Sequence, residues 1–416
     1  MFGDLCLDAY WLLADAPGET SLETGLPARR VVTQRYSPGG AGNVAANLAA
    51  LSVGHIEVIG LIGADLFGDE LVRQFSMRGL ATTGVLRGPS GWQTLVYAKP
   101  CQGVREFPRL DFGTGNRFTA GTWQSLLVRL EKAAESCPVV IINQQVPTGW
   151  AAELVPALNA LMVRHPRTHF IVDSRDYAGA FPAAALKLNL HEAARLLGES
   201  FVESTPEDAL RLAAILAKRQ QHPVSVTRGE QGLALAMGGE VYDVPGIELP
   251  GAVDPVGAGD TALAAFAAAL AVGAAPLEVA MLANHAAAIT TRQLQATGSA
   301  TPEQLLAVGP APDYVHRPRL ATQPRLAQYQ PGTNIEIITG RRLAAGRIRH
   351  AIFDHDGTIS TLRQGWEAIM EPMMLKAILG LRAADCDDTT LARLTATVRA
   401  FIDRTTGIQT LAQMKG

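Results

Sequence analysis

A loop of small and acidic residues carries the strongest chemical signal in this chain. It reads Asp-Pro-Val-Gly-Ala-Gly-Asp over residues 254–260, with Ala258 between two glycines, and an Ala-rich helix is predicted directly after it. Gly257 and Gly259 would let backbone N–H groups turn towards one point, where the helix N-terminus adds about half a positive charge. This anion hole suits a phosphoryl group in transfer, with Asp260 as the base for an attacking hydroxyl. Taken alone, the loop is better interpreted as a glycine-rich helix start with an acidic cap.

A second glycine-rich segment, Ser-Pro-Gly-Gly-Ala-Gly-Asn over residues 37–43, precedes an apolar helix predicted over residues 44–51. Gly39 and Gly40 would let a sugar come close to the backbone, and the Asn43 amide offers both a donor and an acceptor to hydroxyl groups. The alternative interpretation is a glycine turn followed by an ordinary helix cap.

Two short motifs later in the chain could bind phosphate and metal. Asn189 and Glu192 stand at a predicted helix start, where an amide and a carboxylate can order Mg²⁺ and its waters near phosphates. The same spacing is typical of a capping box, which is the better interpretation of this motif by itself. Thr227 and Gly229 follow a predicted strand and could hold phosphate oxygens, or form a plain turn.

Strand-like and helix-like segments alternate over the first 300 residues and would bring these loops together. Strands are predicted over residues 58–63, 139–143, 169–173 and 224–227, a hairpin over 233–244, and helices over 66–78, 149–164, 190–197, 207–220, 257–272 and 277–293. The alternation predicts a doubly wound α/β/α sandwich with a mostly parallel sheet. Irregular residues 9–38 and 92–111 fit a small β lid or surface hairpins equally well.

The composition limits the kinds of partner. The 416 residues carry a net charge of −3, and no run of Lys or Arg marks a nucleic-acid or membrane surface. Four scattered cysteines without a C-x-x-C pair predict neither a zinc site nor a disulfide framework. We therefore expect a cytoplasmic protein that binds a small molecule, with no nucleic-acid or membrane partner.

In this order, the motifs resemble those of the ribokinase/PfkB family of carbohydrate kinases, over residues 1–308. The matching residues are Gly3, Asp4 and Asp8 in an early G-D-x-x-x-D element, Gly39, Gly40 and Asn43 in the N-terminal glycine signature, Asn189 and Glu192 in an N-x-x-E motif, Gly257, Ala258, Gly259 and Asp260 in the C-terminal G-A-G-D signature, and Asn284 at an adenine-pocket position.

The resemblance implies a ribokinase-like fold and an ATP-dependent kinase that uses Mg²⁺. It implies that Asp260 is the catalytic base and residues 257–259 the anion hole. The sugar would be bound by Asp8, Gly39, Gly40 and Asn43, and ATP by Asn189, Glu192, Thr227, Gly229 and Asn284, with Glu192 also a metal ligand. A homodimer is a further expectation.

Within the family, the sequence is most similar to the heptose-phosphate kinase branch. The segments that suggest this branch are residues 3–11, 109–112, 188–192 and 226–232. Residues 14–30 depart from the branch's lid sequence, and residues 173–176 depart from its usual D-P-K step. Because the lid shapes the sugar pocket, the resemblance leaves the sugar open.

A separate acidic motif lies near the C-terminal end. Asp-His-Asp-Gly-Thr over residues 354–358 follows a strand predicted over residues 349–353. It resembles the first motif of haloacid dehalogenase-like (HAD-like) hydrolases, which implies Asp354 as nucleophile, Asp356 as general acid, and both as Mg²⁺ ligands. The alternative is an Asp-rich turn after a strand.

The domain organisation follows from these motifs. Proline-rich residues 309–346 predict a linker, and residues 347–416 predict a partial α/β segment, the start of a HAD-like phosphatase domain whose cap begins near residues 366–379. About sixty residues follow the motif, and the family's later elements cannot be identified among them. We expect this segment to be inactive in the present chain, or the chain to be truncated.

The sequence thus favours an ATP-dependent kinase for a sugar or sugar phosphate, with heptose 7-phosphate as a candidate substrate. Two alternatives stay open: a bifunctional sugar kinase/phosphatase, and a non-catalytic sugar or nucleotide sensor on a kinase fold. The intact Asp260 and the glycine loop favour an enzyme over a sensor.

Overall fold

The computed structural model describes residues 1–309 except 17, 104, 147–149, 151, 201–204, 248, 250–251 and 295–296. Beyond residue 309 it describes residues 312, 328–329, 336–337, 350–353, 367–380 and 386–405. The chain forms two compact units, Met1–Val315 and His316–Gly416. The predicted domain boundaries at residues 308 and 346 stay predictions.

Fourteen strands and nine helices of the first unit are described. The strands are β1 Phe2–Gly3, β2 Leu5–Leu13, β3 Val31–Gly40, β4 Glu57–Ile62, β5 Ala81–Arg87, β6 Leu95–Gln102, β7 Arg105–Glu106, β8 Leu110–Phe112, β9 Val139–Gln144, β10 His169–Ser174, β11 Ala185–Asn189, β12 Val224–Thr227, β13 Leu233–Met237 and β14 Glu240–Val244. The helices are α1 Ala41–Ala50, α2 Leu66–Met77, α3 Ala120–Ser136, α4 Leu154–Arg164, α5 Leu190–Leu196, α6 Pro206–Gln220, α7 Ala258–Ala271, α8 Pro276–Thr291 and α9 Pro302–Val308.

The main sheet has nine strands in the order β14-β13-β12-β11-β10-β9-β1-β4-β5. Every neighbouring pair from β5 to β12 is parallel, and only the β12–β13 and β13–β14 pairs of this sheet are antiparallel. The hairpin between β13 and β14 turns at Gly238 and Gly239, both with positive φ, as the sequence predicts.

Both faces of this sheet are covered by helices. Val140 and Ile142 of β9 belong to a core that includes α3, α4 and α6, whereas Ile141 lies in a core with α1, α7 and α8. Successive side chains of a strand point to opposite faces, so a strand buried on both faces reads as a continuous apolar run. This layering confirms the predicted doubly wound α/β/α architecture.

The irregular segments form a second sheet of five strands. Its order is β3-β2-β6-β7, with β8 also paired to β6. The structure therefore favours a small separate sheet over isolated surface hairpins. The sequence predicts no strand over the whole of β2, which continues almost directly from β1 of the main sheet into this second sheet.

The second unit is described in part. Helices α10, Glu367–Leu379, and α11, Asp388–Thr405, pack together through Met370, Met374, Val398 and Ile402, and β15 Gln328–Tyr329 pairs with β16 Glu336–Ile337. The predicted strand over residues 349–353 is wrong for its described part, because residues 350–353 form no strand and Ile352 and Phe353 are exposed. A strand needs a hydrogen-bonded neighbour, and residues 350–353 pair with none of the described strands.

Asp354 and Asp356 lie outside the described residues, so the HAD-like interpretation stays a prediction. Among the described helices, none is long and apolar enough to cross a bilayer.

Candidate functional site

Asp260 lies in the first turn of α7 and is half-buried. Its Oδ2 accepts a hydrogen bond of 2.9 Å from Nδ2 of Asn43. Desolvation raises the pKa of the Asp260 carboxyl to about 7; the Asn43 bond and the Lys187 ammonium oppose this shift, whereas the charges of Asp173 and Asp8 add to it. The carboxylate is therefore poised to exchange a proton near neutral pH.

A chain of buried polar side chains fixes the orientation of Asn43. The Asn47 amide donates to Oδ1 of Asn43 at 3.0 Å, and the Thr261 hydroxyl donates to Oδ1 of Asn47 at 2.9 Å. Thr290 then donates to the Thr261 hydroxyl at 3.0 Å. Because these residues come from α1, α7 and α8, packing of the three helices directs the Asn43 donor towards Asp260.

Gly257 forms the N-terminal cap of α7 with φ +82°, a backbone conformation that favours glycine. A Cβ atom there would lie 3.0 Å from Cγ2 of Thr297 and 3.1 Å from Nδ2 of Asn43. A Cβ atom on Gly259 would lie 3.0 Å from Nζ of Lys187. Both glycines thus allow close approach to the first helical turn, which lies beside Asp260 and in which the Ala258 N–H donates to the Pro255 carbonyl at 3.2 Å.

Asp8 lies on β2 and is nearly buried. Its Oδ2 accepts a 3.1 Å hydrogen bond from Thr297, and its Oδ1 lies 3.5 Å from Nζ of Lys99. A Cβ atom on Gly39 would lie 2.7 Å from the Asp8 carboxylate, so only glycine fits there without displacement. Thr297 thus lies beside Asp8 and also beside Gly257, which is three residues before Asp260. The structure therefore brings Asp8 and Gly39 to the same region as Asp260.

Gly40 and Asp4 determine the backbone conformation next to this region. Gly40 has φ +52°, and a Cβ atom there would lie 2.7 Å from the Asp4 carbonyl oxygen. The buried Asp4 carboxylate accepts hydrogen bonds from the backbone N–H groups of Gln145 and Val146, at 2.7 and 2.8 Å, and from the Trp150 indole. Burial raises the pKa of Asp4. Of the two early aspartates, Asp4 organises a loop and Asp8 lies in the candidate site.

Asn189 and Glu192 form a capping box at the start of α5. Oδ1 of Asn189 accepts from the Glu192 N–H at 2.9 Å, and Oε2 of Glu192 accepts from the Asn189 N–H at 2.8 Å. The capping alternative is therefore present, and it leaves the other oxygen of Glu192 for a further role. Thr227 pairs in register with Asn189, donates to the Leu188 carbonyl at 3.3 Å, and precedes the exposed Gly229 by two residues.

Asn284 lies on α8, and its amide donates to the Pro245 carbonyl at 2.8 Å. It thereby anchors the end of β14, at the start of the segment that leads to the loop before α7. The hydrogen bonds of Asn284 and Asp260 go to different partners, Pro245 and Asn43. Its predicted role beside an adenine ring stays a prediction.

Sequence reasoning missed Lys187, Asn47 and Thr297. Lys187 could have been found as a single charge within an otherwise apolar strand, immediately before the Asn189 motif. Asn47 stands one helical turn after Asn43, where the two side chains share a face. Thr297 had no signal, because nothing in its neighbourhood marks its contact with Asp8.

The donor set suits a metal held mainly by phosphates and water. No group of three or more His, Cys, Asp or Glu side chains that could hold an ion occurs in the part of the chain that is described. Mg²⁺ commonly uses one or two carboxylates together with substrate phosphates. The half-buried Glu192, with one oxygen engaged in its cap, fits such a ligand.

Comparisons with known proteins agree with this geometry. The profile described as "pfkB family carbohydrate kinase" matches residues 11–104 and 137–304. The curated relatives include two proteins named "Bifunctional protein HldE". The one from Halorhodospira halophila is 32% identical over 318 residues, covering 74% of this chain and 63% of the relative. The one from Magnetococcus marinus is 32% identical over 311 residues, covering 70% and 60%. The chain thus spans about 60% of the length of these relatives.

Solved structures share the fold. Phosphofructokinase-2 from Escherichia coli in complex with potassium superposes with a TM-score of 0.59 at 19% identity, covering 74% of this chain and 97% of that one. The same enzyme in complex with fructose-6-phosphate gives a TM-score of 0.57 at 18% identity, with the same coverage. At this identity the likeness establishes the fold alone.

Proposed function

The chain belongs to the pfkB family of carbohydrate kinases. From this premise we propose that it transfers the terminal phosphoryl group of ATP to a hydroxyl of a sugar phosphate, with Asp260 as the base. The observation that supports this most is the contiguous set of contacts from Asp8 through Thr297 to Gly257, Asn43 and Asp260. It joins a carboxylate suited to sugar hydroxyls with a base and a helix N-terminus.

Heptose 7-phosphate is the substrate we favour. Two lines support it: the sequence segments similar to the heptose-phosphate kinase branch, and the relatives named "Bifunctional protein HldE". Because residues 14–30 diverge from that branch's lid sequence, other sugars are tested beside heptose 7-phosphate. Since the chain spans about 60% of those relatives, any second activity they have is not assigned to it.

The proposed reaction uses each group for one task. Asp8 orients the sugar through hydroxyl groups, and Asn43 holds the carboxylate of Asp260 in place. Asp260 accepts the proton of the attacking hydroxyl as its oxygen bonds to phosphorus, and the bond from phosphorus to the ADP oxygen breaks. The N–H groups of residues 257–259 stabilise the charge on the transferred group. Glu192 would hold Mg²⁺, which would neutralise charge on the phosphates.

A substrate screen with a base-less variant tests the proposal. ATP turnover is measured with heptose 7-phosphate, hexose phosphates, free hexoses, pentoses and nucleosides, for the wild type, Asp260→Asn and the surface control Asp69→Asn. We expect turnover with heptose 7-phosphate, a loss of about 10²–10⁴-fold in Asp260→Asn, and no change in the control. Equal rates in wild type and Asp260→Asn would remove Asp260 from the mechanism.

A further inference from the structure

A row of polar side chains crosses the sheet beneath α7. Nζ of Lys187 on β11 lies 2.9 Å from Oδ2 of Asp173 on β10, and the two side chains are nearly fully buried. Asp173 pairs in register with Asn143 on β9, whose buried amide has no hydrogen-bond partner among the described residues. Alternation along the strands places these three side chains on the sheet face that packs against α7.

The Lys187 ammonium lies directly beneath the loop that begins α7. A Cβ atom on Gly259 would come within 3.0 Å of Nζ, which is possible only because the loop and the ammonium are in near contact. Burying an ion pair costs desolvation energy that its own attraction often does not recover. A buried pair at this place is thus poorly explained by stability alone, and the adjacent loop offers a different explanation.

We propose that Lys187, held by Asp173, is a positioning residue that keeps a positive charge beneath Gly259, where it stabilises the ionised form of Asp260 and attracts the transferred phosphoryl group. Its kinetic consequences depend on the proposed kinase function. Its effect on the proton affinity of Asp260 does not depend on that function.

The charges around Asp260 come from several elements. Asp8 faces it from β2 and Asp173 from β10, and both carboxylates favour its protonated form. Cys6 of β2 also lies nearby, and because burial raises the pKa of its thiol, it contributes no charge near neutral pH. Lys187 opposes the two carboxylates, while Glu192 of α5 and Asp260 itself help to keep the lysine protonated.

Lys187→Met removes the positive charge and Lys187→Arg keeps it, so the pair separates the effect of charge on Asp260 from the effect of side-chain packing. The ionisation of Asp260 is followed in ligand-free protein by NMR of carboxyl-¹³C-labelled aspartate, assigned with Asp260→Asn, and the pH profile of kcat is recorded beside it. Loss of the ammonium should raise the Asp260 midpoint in Lys187→Met by about one pH unit or more, because the ammonium opposes protonation of Asp260 and a nearby opposite charge typically shifts a carboxyl by about 1–3 units. Lys187→Arg should keep the wild-type midpoint.

Two further variants provide an independent test and a negative control. Gly259→Ala places a methyl group against Nζ at a helical position that tolerates alanine, so it should raise the midpoint by a smaller amount even if Lys187→Met does not fold. Glu131→Gln removes an ion pair with Arg164 far along the chain and should leave the midpoint unchanged.

An unchanged Asp260 midpoint in Lys187→Met, or in Gly259→Ala where Lys187→Met does not fold, would overturn the inference. The inference would also be overturned if kcat fell equally in Lys187→Met and Lys187→Arg while the Asp260 midpoint stayed unchanged, because that result indicates a purely structural lysine. A shifted midpoint in a protein that phosphorylates none of the sugars would support this inference while contradicting the kinase proposal.

Discussion

Asp260 combines a raised proton affinity with a fixed orientation. A general base works best when its pKa lies near the working pH, and burial raises the pKa of Asp260 to about 7. The 2.9 Å bond from Asn43 limits this shift and directs one carboxylate oxygen, which leaves the other for a substrate hydroxyl. Both properties arise from the contact between α1 and α7.

Asn43→Ala tests this contact. Loss of the donor removes a hydrogen bond to a charged group, which is worth about 1.5–3 kcal/mol, so kcat/KM at pH 7 should fall by about 10-fold or more. The acid limb of the kcat profile should move to higher pH, because the Asn43 bond lowers the pKa of Asp260. Asn159→Ala, which removes an amide bonded to the Ala180 carbonyl, is the matched control. An unmoved acid limb in Asn43→Ala would contradict the assigned role.

Residues in contiguous motifs could be predicted from the sequence, and residues that meet through strand order could not. Gly257, Gly259 and Asp260 share one loop, so their types and spacing suffice. The contact of Lys187 with Asp173 requires that β10 and β11 be neighbours, and that of Thr297 with Asp8 joins residues 289 positions apart.

At the scale of elements, the start of α5 carries two roles in one motif. The reciprocal bonds of Asn189 and Glu192 cap the helix, which accounts for the motif without any metal. The remaining oxygen of Glu192 is free of this cap and is the one we propose for Mg²⁺. A substitution that preserves the cap separates these roles.

Glu192→Gln keeps an oxygen that can accept the Asn189 N–H, whereas Glu192→Ala removes it. We expect Glu192→Gln to have the same free energy of unfolding as the wild type. Its half-maximal activity should require an Mg²⁺ concentration about 10-fold higher or more, as is usual when a metal-site residue is lost. Glu192→Ala should in addition lose about 0.5–2 kcal/mol of unfolding free energy. Chemical denaturation and magnesium titration measure the two effects. Wild-type magnesium dependence in Glu192→Gln would exclude Glu192 as a ligand.

Strands β4, β9, β10 and β12 and the β13–β14 hairpin of the main sheet were predicted, because buried strands read as apolar runs separated by helical periodicity. Strands β5 and β11 of the same sheet were not predicted. Strand β2 was missed since it continues almost directly from β1 into a different sheet, a change of direction that side-chain pattern does not encode. The strand predicted over residues 349–353 failed for the opposite reason. Its apolar residues gave a strong local signal, but the described structure provides no neighbouring strand for residues 350–353.

At the scale of the whole molecule, the proposed site costs stability. A carboxyl whose pKa is higher in the folded than in the unfolded chain binds more protons when folded. The free energy of unfolding therefore falls as pH rises from about 4 to about 7, and is level above that range. Activity and stability are opposed at Asp260, as is common at functional sites.

Asp260→Asn should accordingly be more stable than the wild type at pH 8. We expect a gain of about 1–2 kcal/mol, less than the full linkage value because solvent screens the partly exposed carboxyl. The gain should shrink as pH falls through about 7 and disappear well below about pH 4, where the wild-type carboxyl is protonated in both the folded and the unfolded state. Denaturation curves at several pH values measure this, and a variant less stable at pH 8 would contradict the raised pKa.

The central claim is that Asp260 and the start of α7 converge where a sugar hydroxyl meets the terminal phosphate of ATP. A crystal structure with heptose 7-phosphate and a non-hydrolysable ATP analogue tests it most directly. The account predicts the acceptor hydroxyl at about 2.6–3.2 Å from an Asp260 oxygen, with the terminal phosphate facing the N–H groups of residues 257–259. A sugar bound away from Asp8, or a terminal phosphate far from Gly257, would contradict it.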